Sequence, residues 1–172
     1  MKGLLVFLIC MFCCAANGFS RHHRSIKTSI DTPGVIKQIQ SDFSAINKQL
    51  KYYKKKIKDA PNVSAEGGAV IGYYDKNTLK KIRCTFYGEM GKVEVEYYLN
   101  NNGLFFLFSK EVFYDKPMYL KDFRTKNMIE ARYYLYSSKV IKSIIKPNTS
   151  PILSHNEIEE GLKQVLSILN SK

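Results

Sequence analysis

The chain has 172 residues, with 27 Lys and Arg against 15 Asp and Glu and a formal net charge of +12. A chain of about 150 residues buries about 70% of its unfolded surface, which is enough for one domain with its own core. Three of the four cysteines lie within the first 14 residues, so the sequence excludes a disulfide-stapled scaffold for the rest of the chain. The excess of cations favours polyanionic partners, although it also keeps a ligand-free protein soluble.

Residues 1–18 have the pattern of a secretory leader. Lys2 precedes an apolar run, Leu4–Cys14, and small residues follow at Ala16 and Gly18, where cleavage is expected. The run is too short to span a bilayer, which needs about 20 residues. We therefore expect a secreted protein, periplasmic or extracellular, with no transmembrane segment after cleavage. The pattern leaves open whether it is a lipoprotein or a free soluble form.

Cleavage would leave Cys84 as a lone cysteine. The next residues, 19–30, are basic and polar without periodicity, which predicts a flexible arm. A single α+β domain is expected over residues 31–172.

An amphipathic helix is predicted to follow the arm. Asp31 or Thr32 can cap it, and Pro33 fits its first turn. Apolar residues then recur at spacings of three and four from Ile36 to Ile57, before Pro61 ends the pattern. We expect this face to pack on a sheet of the same chain.

Lysines crowd the end of the predicted helix. Cations there complement the helix dipole, which is a sufficient structural reason for them. They also predict an anion-binding patch, for which the candidates are Lys51, Lys55 and Lys58.

The centre of the chain alternates between strands and turns. Ile82–Phe86 and Val93–Tyr97 flank a Gly88–Gly91 turn, and placing Glu89 and Met90 at its tip pairs apolar residues with apolar residues. This register places Arg83 opposite Glu96.

The strand Leu104–Phe108, after an Asn-Gly turn, is apolar at both parities. A strand covered on both faces has this pattern. Its second face must therefore meet a helix, a partner or a ligand. We expect Tyr98, Phe105 and Leu107 to lie on that face, aligned with Tyr74 and Tyr134, as a candidate binding surface.

The last part of the chain predicts a polar connection over 118–128, a hairpin around Ser137–Ser138 and a closing helix opened by a Ser154–Glu157 capping box. The expected fold is therefore α+β. An N-terminal amphipathic helix packs on a curved antiparallel sheet of about five or six strands, and a C-terminal helix follows.

Tyrosine doublets recur at the hairpins, in Gly72-Tyr73-Tyr74, Glu96-Tyr97-Tyr98 and Arg132-Tyr133-Tyr134. With the Tyr87–Lys92 turn, they resemble an uncharacterised group of small bacterial secreted or periplasmic proteins over residues 36–146, and that resemblance implies no activity. The hairpins are also loosely similar to MORN-type repeats. The uneven spacing favours a hairpin meander over a solenoid.

Catalytic chemistry finds little support in the sequence. Cys84 lies mid-strand among apolar neighbours, where a thiol stays protonated, so pairing with His155 is disfavoured. His22 and His23 have no third ligand at metal-binding spacing. Glu94 and Glu96 suit surface ion pairs better than acid–base work. No cofactor is expected.

These features favour a non-enzymatic secreted binding or interaction module whose partner is an acidic protein, a glycan or an anionic envelope surface. Nucleic acid is disfavoured, because its binding needs exposed aromatic side chains in a groove. The alternatives are a small enzyme acting on an envelope or extracellular polymer and a structural protein without a ligand. The oligomeric state is open.

Overall fold

The computed structural model describes residues 31–61, 63–147 and 153–171. The predicted leader and basic arm, residues 1–30, lie outside the described residues. Two helices and seven strands follow in chain order. They are α1 (Thr32–Gln49), β1 (Lys54–Asp59), β2 (Gly68–Asp75), β3 (Thr78–Gly88), β4 (Gly91–Asn100), β5 (Gly103–Tyr114), β6 (Thr125–Tyr136), β7 (Lys139–Lys146) and α2 (His155–Asn170).

The seven strands form one antiparallel sheet in the order β1 to β7, so every strand pairs with its neighbour in sequence. This confirms the α+β class and the hairpin meander, although the expected count of about five or six strands was too low. The additional strand is β1, which occupies residues that the sequence assigned to the first helix.

The end of α1 is the main correction. The helix begins as predicted, with the Asp31 carboxylate accepting a hydrogen bond from Gly34 N, but it stops at Gln49 instead of continuing to Ile57. A short 3-10 turn, Leu50–Tyr52, leads into β1. Because β1 pairs along the open side of β2, it satisfies backbone groups that a longer helix would have left unpaired. Its lysines suit an edge strand, where charged side chains block pairing with other chains.

The helices cover opposite faces of the sheet. On one face, α2 buries Ile158, Val165 and Leu169 against a core that includes Tyr97 and Leu107. On the other face, Ile39 and Ile46 of α1 pack on Tyr98, Phe106 and Tyr134. The two cores explain why Leu104–Phe108 is apolar at both parities, since the middle of the sheet is buried on both sides.

The predicted register of β3 and β4 is confirmed. Phe86 faces Val93, Cys84 faces Val95 and Ile82 faces Tyr97, with the turn between Gly88 and Gly91. The Ser154 capping box that opens α2 is also present. The polar connection is shorter than predicted, because β6 begins at Thr125.

Three hairpins at one end of the sheet share a β-bulge at an equivalent position. The pairing skips Lys80 in β3, Phe105 in β5 and Ile141 in β7. The residue pairs next to these bulges place Tyr73, Tyr98 and Tyr134 at equivalent positions, on the sheet face that carries α1. The equivalent tyrosine is therefore the first of the doublet in β2, Tyr73, but the second in β4 and β6. We expected Tyr74 to align with Tyr98, and it does not.

Candidate functional site: a lysine groove at the sheet edge

Four lysines surround a groove of about 400 Å³ where β1 meets the β2–β3 turn. Its lining comprises Lys54, Lys55, Lys56, Tyr74, Lys76 and Asn77. Within the described residues, no carboxylate lines it, and none of the four ammonium groups has an ion-pair partner within 4.0 Å. A groove that concentrates unpaired cations favours an anionic occupant.

The pairing of β1 with β2 brings the groove residues together. Lys54 lies opposite Tyr74, and Lys56 lies opposite Gly72. Lys76 occupies the β2–β3 turn with a φ of 54°, a left-handed conformation that tight turns require. The Tyr74 ring lies over Gly72, where any Cβ would come within 2.9 Å of it. Gly72 therefore leaves room for the Tyr74 ring, which lines the groove.

Of the predicted cations, Lys55 lines the groove. Its Nζ also lies 5.8 Å from the centre of the Tyr73 ring. Lys51 lies in the 3-10 turn before β1, with its Nζ 4.8 Å from the ring of the exposed Tyr52. Lys58 lies further along β1, opposite Val70. Lys55 and Lys58 therefore lie on an edge strand, and Lys51 lies in the turn before it, instead of at the end of a helix.

The predicted aromatic and aliphatic site residues are core residues. Tyr98, Phe105 and Leu107 are 1%, 5% and 1% exposed. Tyr98 and Phe105 lie under α1, whereas Leu107 belongs to the core under α2. The expectation that they share one accessible face is therefore wrong. The bulge turns Phe105 toward α1, and the helices fill both sides of the strand.

A buried polar cluster beneath α1 was missed by sequence reasoning. Lys81, only 3% exposed, places its Nζ 2.9 Å from Glu96 Oε2, 2.7 Å from the Tyr98 hydroxyl and 3.3 Å from Asn47 Oδ1. The Tyr98 hydroxyl donates to Glu96 Oε2 at 2.7 Å. The predicted Arg83–Glu96 pair is present but longer, at 3.9 Å. Extending the β3–β4 register by one pair places Lys81 opposite Tyr98.

Burial controls the electrostatics of this cluster. It lowers the pKa of the Lys81 ammonium, an effect that the Glu96 carboxylate partly opposes. It also raises the pKa of the Tyr98 hydroxyl, with the adjacent Glu96 acting in the same direction. The cluster joins α1 to the sheet through Asn47, and none of its residues lines the lysine groove. Its geometry is that of a structural ion-pair network.

The other candidate reactive groups among the described residues are buried or already have a polar partner. Glu94 pairs with Lys92 at 2.6 Å, and Glu89 accepts a hydrogen bond from the Tyr119 hydroxyl at 2.8 Å. Cys84 is fully buried, which raises the pKa of its thiol to about 12. His155 lies 3.2 Å from Glu159 on α2, and His22 and His23 lie outside the described residues. Across the ranges that the structure describes, no group of three or more His, Cys, Asp or Glu side chains is arranged to hold a metal ion.

A second cavity, of about 520 Å³, lies between α1 and the β4–β5 and β6–β7 turns. Its described lining contributes one carboxylate, Asp42, which accepts a hydrogen bond from Gln38 Nε2 at 2.8 Å. Acid–base catalysis needs a second titratable group in reach of the substrate, and the described lining offers Tyr136 but no histidine, cysteine, lysine or second carboxylate.

Comparison of the chain with protein-family models, with curated proteins and with solved structures gave no match. Among the described helices, none is long and apolar enough to cross a membrane.

Proposed function

We propose that this protein is a non-enzymatic binding module that recognises an anionic glycan chain through the lysine groove. The carrying observation is that Lys54, Lys55, Lys56 and Lys76 all line one groove whose described lining has no carboxylate. The proposal includes the secreted or periplasmic location that the pattern of residues 1–18 predicts.

The shape of the cationic surface supports a polymer over a small anion. Lys54, Lys56 and Lys58 share one face of β1, and strand residues advance about 3.3 Å each, so these three positions cover about 13 Å. Repeated sulfate, phosphate or carboxylate groups on one chain can meet such a row in succession. Lysine suits this contact because it acts as a flexible point charge.

The aromatic content of the groove supports a glycan over nucleic acid. Single-stranded nucleic acid stacks successive bases on several aromatic rings. The groove presents one ring, Tyr74, among its described residues. A sugar ring packs its apolar face on a single aromatic side chain while Asn77 can hydrogen bond its hydroxyl groups.

The test compares a groove variant with a charge-matched control. Lys54→Gln, Lys56→Gln and Lys76→Gln together remove three groove cations, whereas Lys37→Gln, Lys139→Gln and Lys163→Gln remove three cations elsewhere. Binding to heparin, polygalacturonate and neutral dextran is measured by calorimetry at about 0.15 M and 0.3 M NaCl, because added salt screens diffuse charge attraction first.

We expect the groove variant to lose at least tenfold in affinity for one of the anionic glycans, the control variant to lose less than threefold, and dextran not to bind. Equal losses in both variants would show attraction by overall charge and would overturn the proposal. Failure of the unmodified protein to bind either anionic glycan would overturn it as well.

A further inference from the structure

Exposed apolar side chains concentrate at the end of the sheet opposite the lysine groove. Among the described residues, ten large apolar side chains are markedly exposed, and seven of them lie in this region. They are Tyr87, Met90, Phe113, Tyr119, Leu120, Phe123 and Met128. A patch of this kind on a protein of this size indicates a surface that contacts something other than water.

The connection 115–124 between β5 and β6 presents the most exposed of these residues. Tyr119 is 72%, Leu120 46% and Phe123 40% exposed. Met118 N donates to the Glu89 carbonyl at 2.9 Å, and Asp115 N donates to the Arg124 carbonyl at 3.0 Å. These backbone bonds tie the connection to the β3–β4 turn and to itself.

Side-chain contacts add to this order. The Tyr119 hydroxyl donates to Glu89 Oε1 at 2.8 Å, and the Phe123 ring packs on Tyr114 with centroids 4.7 Å apart. Tyr119, Leu120 and Phe123 form the apolar tip of the connection. These contacts order the tip in the absence of a partner, which lowers the entropic cost of binding.

An apolar hollow of about 330 Å³ adjoins the connection. Phe86, Val93, Val112 and Phe113 contribute to its lining, and Met90 lies beside them. Its charged residues are Glu111 and Lys92, of which Lys92 already pairs with Glu94 at 2.6 Å. The hollow extends the apolar surface beyond the tip and adds room for an apolar chain.

Cations lie among these apolar side chains. Lys116, Lys121, Arg124 and Lys126 lie in or beside the connection, against the carboxylates of Asp115 and Asp122. The segment is therefore net positive. A protein interface concentrates its apolar residues in a core depleted of charged side chains, whereas here Lys121 and Asp122 separate Leu120 from Phe123 in the sequence.

We propose that this end of the protein docks on an anionic lipid bilayer. Tyrosine is enriched at the headgroup level of a bilayer, phenylalanine and leucine enter the boundary with the acyl chains, and nearby lysines and arginines gain attraction from anionic phosphates. Tyr119, Leu120 and Phe123 enter the interface, while Lys121 and Arg124 contact phosphate groups. The proposal is independent of glycan binding, because β5 alone spans 12 residues, about 40 Å, between the two ends of the sheet.

The chain contains no tryptophan, so a single introduced indole reports its own position. Leu120→Trp places the indole at the tip, and Tyr52→Trp places it at an exposed site near the lysine groove. Each variant is mixed with two kinds of vesicle. One kind contains phosphatidylcholine alone, and the other contains phosphatidylcholine with about 30% phosphatidylglycerol. Brominated acyl chains quench only an indole that enters the bilayer.

We expect the indole of the Leu120→Trp variant to shift its emission to the blue and lose at least half its intensity with anionic vesicles. The indole of the Tyr52→Trp variant should remain unquenched. Lys121→Glu with Arg124→Glu in the Leu120→Trp background should weaken vesicle binding at least tenfold, whereas Lys37→Glu with Lys163→Glu in the same background should weaken it less than threefold.

Two outcomes would overturn the proposal. One is quenching in the Tyr52→Trp variant instead, and the other is an absence of quenching in the Leu120→Trp variant with either vesicle. Neither result would change the glycan assay, so the two proposals fail separately.

Discussion

The Nζ of Lys81 lies 2.7 Å from the hydroxyl oxygen of Tyr98, its direct partner across the β3–β4 pair. The same ammonium group lies 4.6 Å from the centre of the Tyr98 ring, so this lysine contacts both the polar and the aromatic part of one side chain. Tyr98 in turn packs its ring on Phe43 of α1 at 4.8 Å. The pair therefore connects the polar cluster to the core beneath the helix.

Lys81 and Tyr98 belong to a row that crosses all seven strands. The successive partners are Lys55, Tyr73, Lys81, Tyr98, Phe106, Tyr134 and Lys142. Three cations of the row lie over aromatic rings of their neighbours, at 5.8, 4.6 and 5.9 Å from the ring centres. Cross-strand pairs of this kind stabilise a sheet. The row exposes its two terminal lysines at the sheet edges and buries the third, Lys81.

Replacing Lys81 with methionine tests whether the buried cluster stabilises the fold. Lys81→Met leaves the Glu96 carboxylate without its nearest cation, and we expect the free energy of unfolding to fall by about 2–4 kcal/mol. Arg83→Met removes the more distant and more exposed partner of the same carboxylate, so its cost should stay below about 1 kcal/mol. Urea denaturation measures both. A loss for Lys81→Met no larger than that for Arg83→Met would show that the cluster is not a stabilising network.

Burial of Cys84 predicts a loss of stability at alkaline pH. Above about pH 9 the thiol of the unfolded chain gives up its proton, while the folded chain holds it up to about pH 12. The unfolded state is thus favoured progressively as the pH rises through this window. At pH 10.5 the thiol should account for ~2 kcal/mol of lost stability, because each unit of pKa difference corresponds to about 1.4 kcal/mol.

Cys84→Ala isolates this effect from the tyrosines. Tyr97 and Tyr98 also have pKa values raised mainly by burial, so they too destabilise the fold at high pH in both proteins, although Cys84 itself adds to the rise at Tyr97. Between pH 8.5 and 10.5 the free energy of unfolding should fall less steeply for Cys84→Ala, by the ~2 kcal/mol assigned to the thiol. Parallel curves over this range would contradict a buried, protonated thiol.

The sequence was informative where one local pattern decides the structure. Apolar alternation fixes the β3–β4 register, because any slip by one residue opposes apolar and charged side chains. The cap at Asp31 and the box at Ser154 are likewise local. The double apolar pattern of Leu104–Phe108 correctly indicated a strand that needs cover on both faces.

The sequence misled where a distant partner decides. Residues 50–57 continue the helical spacing, yet the open side of β2 recruits them as β1. The bulge at Phe105 depends on pairing with β4, so parity alone wrongly grouped Phe105 and Leu107 on one face. Lys55 was a predicted binding residue and does line the groove, but Lys76 and Asn77 join it only through the β2–β3 turn.

The correction at Leu107 has a direct test in stability. Leu107→Ala removes a side chain that is 1% exposed in the core under α2, so we expect a loss of about 2–5 kcal/mol. Leu120→Ala makes the same chemical change at a side chain that is 46% exposed, and should cost no more than about 0.5 kcal/mol. Thermal and urea unfolding compare the two variants. Similar small losses in both would restore Leu107 as a surface residue.

Substitution by alanine should have opposite effects on stability at the two glycines that flank the β3–β4 turn, Gly88 and Gly91. A Cβ at Gly91 would fall well inside van der Waals contact with the Val112 carbonyl oxygen on β5, a backbone atom that cannot rotate away. At Gly88 the nearest atom would be the Gly91 carbonyl oxygen at 3.7 Å, an ordinary contact. We expect Gly91→Ala to cost about 1–3 kcal/mol through strain between β4 and β5. Gly88→Ala should be neutral or stabilise by up to about 1 kcal/mol, because alanine narrows the unfolded ensemble. Urea denaturation measures the free energy of unfolding of both variants. Equal stability of Gly91→Ala and Gly88→Ala would mean that β4 and β5 do not approach this closely.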